Sequence, residues 1–316
     1  MAGSGTLHGE VVAMAALRGT RRGARVGAAL GAALGAVLLA GCTASTVGTG
    51  APAVPPDAPS APSATATATP TTAPDEASAG RAVPLYYVTD TPAGARLARE
   101  FRRTPADIDA GTAALTALFA APTGTVSEHR NTWPAGTALA APVTHTDGVV
   151  TVDLTTEATD AVPADPIVAV QQLVYTVTGA LGTADPVQVL VGGTQVPRLW
   201  RDGVDTSRPV GRADPLGIRV LVGIDDPTEG ATVRSPVRVA GEAAVFEATV
   251  LWEVRRDGAV VRSGVTSTAE GQRFAPYAFS VELPPGDYEI RVAEDDPSGG
   301  AGRPVMTDTR RVVVTS

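Results

Sequence analysis

The residues with the clearest chemical potential are Leu39-Ala40-Gly41-Cys42. Cys42 is the only cysteine in the chain, and it follows two small residues at the end of an uncharged run, Val26 to Leu39. Arg18, Arg21, Arg22 and Arg25 precede that run. A basic segment, an apolar segment and a small-residue site are the three parts of a secretory signal. Residues 1–41 are therefore expected to be a signal peptide; a cut elsewhere than between Gly41 and Cys42 would leave Cys42 as a free thiol. The run is shorter than the roughly 18 to 20 apolar residues that cross a bilayer, and Ala and Gly dominate it, so a retained transmembrane helix fits less well. A lone cysteine excludes an intrachain disulfide and a cysteine-based metal site.

Other chemistry is thin. After Cys42 only His129 and His145 remain as imidazoles. Both lie in polar stretches and read as solvated surface histidines. Asp153, Glu157 and the His129 loop are the candidate residues should the chain be an enzyme. The sequence has no nucleophile elbow, phosphate-binding loop or zinc-protease helix, and the complete absence of lysine removes Ser/Lys hydrolase chemistry. The acidic stretches Asp225-Asp226-Pro227 with Glu229, and Glu294-Asp295-Asp296-Pro297, read as turn chemistry at strand exits rather than as calcium loops. No cofactor and no metal are expected. The formal net charge is −8, with no basic cluster of the kind that marks nucleic-acid binding.

The Leu39–Cys42 site resembles that of bacterial lipoproteins. The resemblance implies cleavage between Gly41 and Cys42, a diacylated Cys42 sulfur, palmitate-type acyl chains and an anchor on the outer face of the cytoplasmic membrane. Residues 42–82 form the tether. Seven prolines lie between Pro52 and Pro74 among Ala, Ser and Thr, with no aromatic residue to pay the entropy of ordering. A disordered linker is expected, and its Thr-rich tract has the composition of a glycosylated stalk.

Order begins at Val83. A strand over 83–89, a turn at Asp90–Gly94 and a second strand over 97–103 lead into a helix that Thr104 and Pro105 would open, with Ile108, Ala114, Leu115, Leu118 and Phe119 on one stripe. Strands over 137–146 and 149–154 meet at Asp147-Gly148, a strong hairpin signal. Asp165-Pro166 begins a second helix with the stripe Ile167, Val170, Leu173, Val174, Val177 and Leu181, ended by Gly182. A strand follows over 186–191. The expected class over 83–205 is α+β, a mixed α/β domain. Seven short strands from Ile218 to Thr315 then predict an all-β immunoglobulin-like sandwich over 215–316. In its third strand, 245–255, Phe246, Val250, Trp252 and Val254 should face the core. Leu283–Tyr288 has the spacing of a tyrosine corner. Trp252, Phe246 and Tyr288 are the expected structural core residues.

Leu85-Tyr86-Tyr87, Ala114–Leu118, Pro134–Thr137, Asp147–Leu154, Gln171–Thr176 and Val187–Gly192 together resemble the GerMN domain of sporulation and spore-germination proteins. Ser235–Gly241, Val245–Val250 and Gly286–Val292 resemble the immunoglobulin-like domain of bacterial spore germination. These resemblances imply a non-catalytic envelope module that binds a protein or cell-wall partner. A peptidoglycan-acting enzyme or accessory subunit and a small-ligand carrier are the alternatives. The anchor gives a direct test: Cys42→Ala should leave the protein uncleaved or release it from the membrane fraction. A variant that fractionates and migrates like wild type removes the lipoprotein expectation.

Overall fold

The computed structural model describes residues 80–201 and 203–316. Gly41, Cys42, the signal over 1–41 and all of the tether before residue 80 lie outside the described residues.

Strands β1 (Arg81–Thr91) and β2 (Gly94–Thr104) form an antiparallel hairpin. Helix α1 (Ala110–Phe119) follows, then β3 (Thr144–Thr146), β4 (Val149–Leu154), helix α2 (Pro166–Leu181), β5 (Val187–Val191) and β6 (Thr194–Gln195). The last four strands make one sheet in the order β3-β4-β5-β6, with β4 and β5 parallel across the α2 crossover. Leu85 and Tyr87 of β1, Leu115 and Leu118 of α1, Val152 of β4 and Leu173 and Val174 of α2 form one core. The opposite face of β1 is buried too. Tyr86 and Val88 join Leu97, Val168, Tyr175 and Ile218 in a second cluster.

Both helices start at carboxylates. Asp165 Oδ1 accepts from Val168 N at 3.0 Å, with Pro166 at the first helical position. Gly182 ends α2 with φ 67°, a left-handed cap that glycine adopts without strain. The cap of α1 is Asp109, whose Oδ1 accepts from Thr112 N at 2.8 Å, not Thr104 as expected. Thr104 is held in the hairpin opposite Arg81, and its hydroxyl donates to the Arg81 carbonyl at 3.2 Å. Ile108 consequently lies before the helix and is exposed. Ile167 is exposed as well, outside the buried face to which Val168 and Ala169 of the same turn belong. The expected strand over 137–146 shrinks to β3: Pro142 lacks the N–H that a ladder needs, and only Leu139 bridges to Leu154.

The second half opens with the short helix α3 (Pro215–Ile218), which takes Ile218 out of the expected first strand. Strands β7 (Val222–Asp226), β8 (Ala231–Arg234), β9 (Val237–Ala243), β10 (Thr249–Arg256), β11 (Ala259–Ser267), β12 (Ala275–Val281), β13 (Gly286–Glu294) and β14 (Thr307–Thr315) follow. They form an immunoglobulin-like sandwich of a five-stranded sheet, β11-β10-β13-β14-β8, and a three-stranded sheet, β12-β9-β7. The short β8 was not expected; it pairs parallel to β14.

Of the three expected core residues, Tyr288 is buried, and its hydroxyl donates to the Pro284 carbonyl at 3.0 Å. Trp252 packs at the edge of the core, stacked on Phe279 with ring centroids 4.6 Å apart. A Cβ on Gly264 would fall 2.4 Å from its ring, so that position accepts only glycine without displacing the indole. Phe246 is not core: it is 41% exposed. The chain before β10 turns through Glu247 (φ 49°) and Ala248 (φ 60°), which swings Phe246 outward between the buried Val245 and Val250. Each such non-glycine residue costs about 1–3 kcal/mol.

The tyrosine corner is separable from its ring. Tyr288→Phe keeps the packing and removes one hydrogen bond, so stability should fall by about 1 kcal/mol. Denaturant unfolding of the two proteins measures it, and identical midpoints would mean that the corner contributes nothing.

Candidate functional site

The side chains that could carry function gather where the two halves meet. Two stretches make this seam: β2, whose residues alternate between the two sides of the hairpin, and the connector around Arg219. Val220 N donates to the Leu97 carbonyl at 3.0 Å. Two residues along β2, Arg99 reaches across as a fork: its Nε and NH2 donate to Asp225 Oδ1 and Oδ2 at 3.0 and 2.5 Å, and its NH1 lies 2.9 Å from Glu242 Oε2. Arg219 pairs with the other oxygen of Glu242. Its guanidinium also lies 3.9 Å from the Phe274 centroid and 5.2 Å from that of Tyr86. Burial pushes the Asp225 carboxyl above its ordinary value even against the attraction of Arg99. A planar, bidentate arginine is the cation suited to such a site, because its fork fixes orientation as well as charge.

Beside the seam lies a buried carboxylate and imidazole. Glu100 Oε1 sits 2.7 Å from His129 Nδ1 and accepts from Val126 N at 3.2 Å, while Oε2 accepts from Thr125 N at 2.8 Å and the Thr125 hydroxyl at 2.5 Å. His129 is therefore not the solvated histidine its polar neighbours suggest; it is 4% exposed and stacked beside Tyr87. Burial alone would raise the Glu100 pKa, but the bonds from His129 and Thr125 outweigh it and bring the carboxyl down to about 2. Four donors on one carboxylate clamp the loop over 123–130 onto β2. Tyr87 buries its hydroxyl next to this clamp without a partner among the described residues. On its other side His129 lines a crevice of about 220 Å³ shared with Met306, Thr307 and Asp308 of the second half.

The remaining sequence candidates are scattered. Asp153 Oδ1 accepts from Gly193 N at 2.9 Å, a bond that ties β4 to the turn after β5. Glu157 stands exposed on a single helical turn. His145 is exposed and lies 2.7 Å from Asp185. No hydrogen bond or ion pair joins Asp153, Glu157 and His129 to one another among the described residues. One carboxylate of each acidic stretch is spent in a pair with an arginine: Asp225 on Arg99, and Glu294 on Arg303 at 2.9 Å. Among the described residues, no group of three or more His, Cys, Asp or Glu is placed to hold a metal ion. None of their helices is long and apolar enough to cross a membrane.

Sequence reasoning missed Arg99, Glu100 and Arg219. Arg99-Glu100-Phe101-Arg102-Arg103 reads as a solvated strand, and the only signal against that is one carboxylate among three arginines.

Glu100 gives a pH test with a defined sign. Its folded pKa lies below the ordinary 4.5, so its stabilisation is fully present above that pH and is lost as pH falls toward about 2. Glu100→Gln should cost on the order of 3 kcal/mol at pH 7, and the gap to wild type should close across that acid window. A gap that stays constant from pH 7 to pH 2 would refute the clamp.

Residues 84–197 match a family described as sporulation and spore germination. Residues 221–301 match the immunoglobulin-like domain of bacterial spore germination. Among solved structures, the first GerMN domain of the sporulation protein GerM from Bacillus subtilis aligns with 42% of this chain and 99% of its own, at 23% identity and a TM-score of 0.35. The tandem GerMN domains of the same protein align with 64% of this chain and 62% of their own, at 17% identity and a TM-score of 0.35. No curated protein matches the chain.

Proposed function

We propose that this chain, which carries a sporulation-and-germination domain ahead of a spore-germination immunoglobulin-like domain, is a lipid-anchored envelope protein that binds a protein or cell-wall partner and catalyses no reaction. The observation that supports this reading most is the seam. Arg99, Arg219, Asp225 and Glu242 fix the relative orientation of two domains that each have their own core. A fixed orientation lets surfaces of both domains meet one partner without the entropy of ordering a hinge on binding. The tether expected before residue 83 raises the local concentration of such a platform near the membrane.

The enzyme reading rests on one observation, the Glu100–His129 pair, which has the carboxylate-imidazole half of an acid–base relay. Both Glu100 oxygens, however, are already spent on clamping a loop.

In-cell crosslinking of the intact chain separates the two. One membrane or cell-wall partner should be recovered. That partner should be lost with Cys42→Ala, with deletion of either domain, and with Arg99→Glu, which puts like charges across the seam. Release of peptidoglycan fragments by the purified protein, abolished by substitution of His129, Asp153 or Glu157, would replace the binding reading with the enzymatic one.

A further inference from the structure

The left-handed turn before β10 gives the sandwich an unusual surface. Phe246 is 41% exposed and Leu216 of α3 is 40% exposed. The two side chains line one hollow of about 450 Å³ together with Leu221 and Val305. A third non-glycine residue in the left-handed region, Gln272 (φ 54°), borders the same hollow and donates its N–H to the Val245 carbonyl at 2.8 Å. This turn therefore holds Phe246 out of a core that encloses Val245 before it and Val250 after it. An aromatic side chain presented beside a concave apolar surface is the arrangement of a binding hot spot.

The rim says what would sit there. Glu294, Asp295, Asp296 and Arg303 border the hollow, three carboxylates to one guanidinium. Glu294 is taken up by Arg303 and by Met306 N. Asp296 accepts from Ser298 and from Gly300 N. Asp295 is half-buried and has no hydrogen bond or ion pair among the described residues. The same acidic segment also borders a second hollow of about 360 Å³, lined by Leu251 and Trp252. That second hollow also carries Glu253 and Arg291, which lie 3.6 Å apart as a pair. A carboxylate without a partner at the edge of the apolar Phe246 hollow is complementary to a cation carried next to an apolar group. Anionic lipid headgroups would be repelled, and a bare glycan lacks the large apolar side chain.

We propose that this hollow is the docking site for a segment of a partner protein that presents one large apolar side chain beside a lysine or arginine. The apolar side chain packs on Phe246 and Leu216, and the cation meets Asp295. The proposal rests on the reading of the chain as a partner-binding module and specifies the partner's chemistry.

The test uses the purified full-length chain and a fluorescein-labelled heptapeptide with one phenylalanine between two lysines. Fluorescence anisotropy should show saturable binding that weakens as salt rises. Replacing the lysines by glutamates, or the phenylalanine by alanine, should weaken it at least about tenfold, the scale of one hot-spot contact. Phe246→Ser and Asp295→Lys should each do the same. Phe246 is exposed and Asp295 half-buried, and an unchanged melting curve for each variant shows that the fold survives. Absence of binding, equal affinity for the glutamate peptide, or indifference to both substitutions overturns the proposal. So does self-association of the chain that Phe246→Ser abolishes, which would make a second copy the occupant. If the crosslinked cellular partner is recovered unchanged with Phe246→Ser and Asp295→Lys, this surface is wrong while the partner-binding reading stands.

Discussion

The first domain depends on the polar side chains buried in α2. This helix is enclosed on most of its circumference, and Gln171, Gln172, Thr176 and Thr178 are buried with the apolar residues. A buried amide or hydroxyl left unpaired costs about 1–3 kcal/mol, so each of these groups must draw a partner to itself. Gln172 takes Thr132 N and the Arg130 carbonyl, which shapes the loop after α1. Gln171 takes Ala213 N and the Gly211 carbonyl, which fixes the connector to the second domain. The Thr176 hydroxyl accepts from Tyr86 N in β1, and that of Thr178 accepts from Arg212 Nε. One helix thus sets the path of two segments that have little regular structure of their own and ties both to β1.

The seam follows from that arrangement. With the connector pinned to α2, Arg219 is delivered beside β2, and Arg99 finds Asp225 and Glu242 within reach. Partly buried ion pairs of this kind are weak evidence for stability, because desolvation offsets much of the attraction. Their geometric demands make them good at selecting one relative orientation of two surfaces. The rings of Tyr86 and Phe274 add apolar area and cation–π contact around Arg219, and Tyr175 packs on Tyr86 and under Arg212. The Glu100 clamp acts in parallel, since the loop it holds forms one wall of the crevice against the second domain.

The sandwich is held by other means. Without a disulfide between its sheets, it relies on Val222, Ile224, Val239, Val250, Ile290 and Val292 in the core and on the Tyr288 corner. Its irregularities are local. Trp252 lies flat over Gly264 because only a glycine leaves it room, and the turn at Glu247 and Ala248 delays β10 and exposes Phe246. The regular part of the sandwich supports both departures, which fall at the end of the domain where the acidic 294–297 segment also lies.

The amino-acid sequence by itself determined most of the regular elements. Period-two runs of Val, Ile and Tyr marked nearly all the strands, and Asp165-Pro166 with Gly182 bounded α2, because backbone sterics and capping are local effects that act within a few residues. The two domain types were legible for the same reason, as strings of such elements at characteristic spacing. The sequence misplaced the start of α1, where Thr104 was claimed by a partner 23 residues away, and it gave no sign of the short β8, which exists only through β14. It also put Phe246 in the core, since alternation carries no record of a left-handed turn. Tertiary structure alone decided the seam, the Glu100–His129 clamp and the hollow at Phe246. Each depends on groups brought together over long separations, such as Arg99 with Asp225 or Glu100 with His129, and the environment of a charged side chain is set by what folds over it.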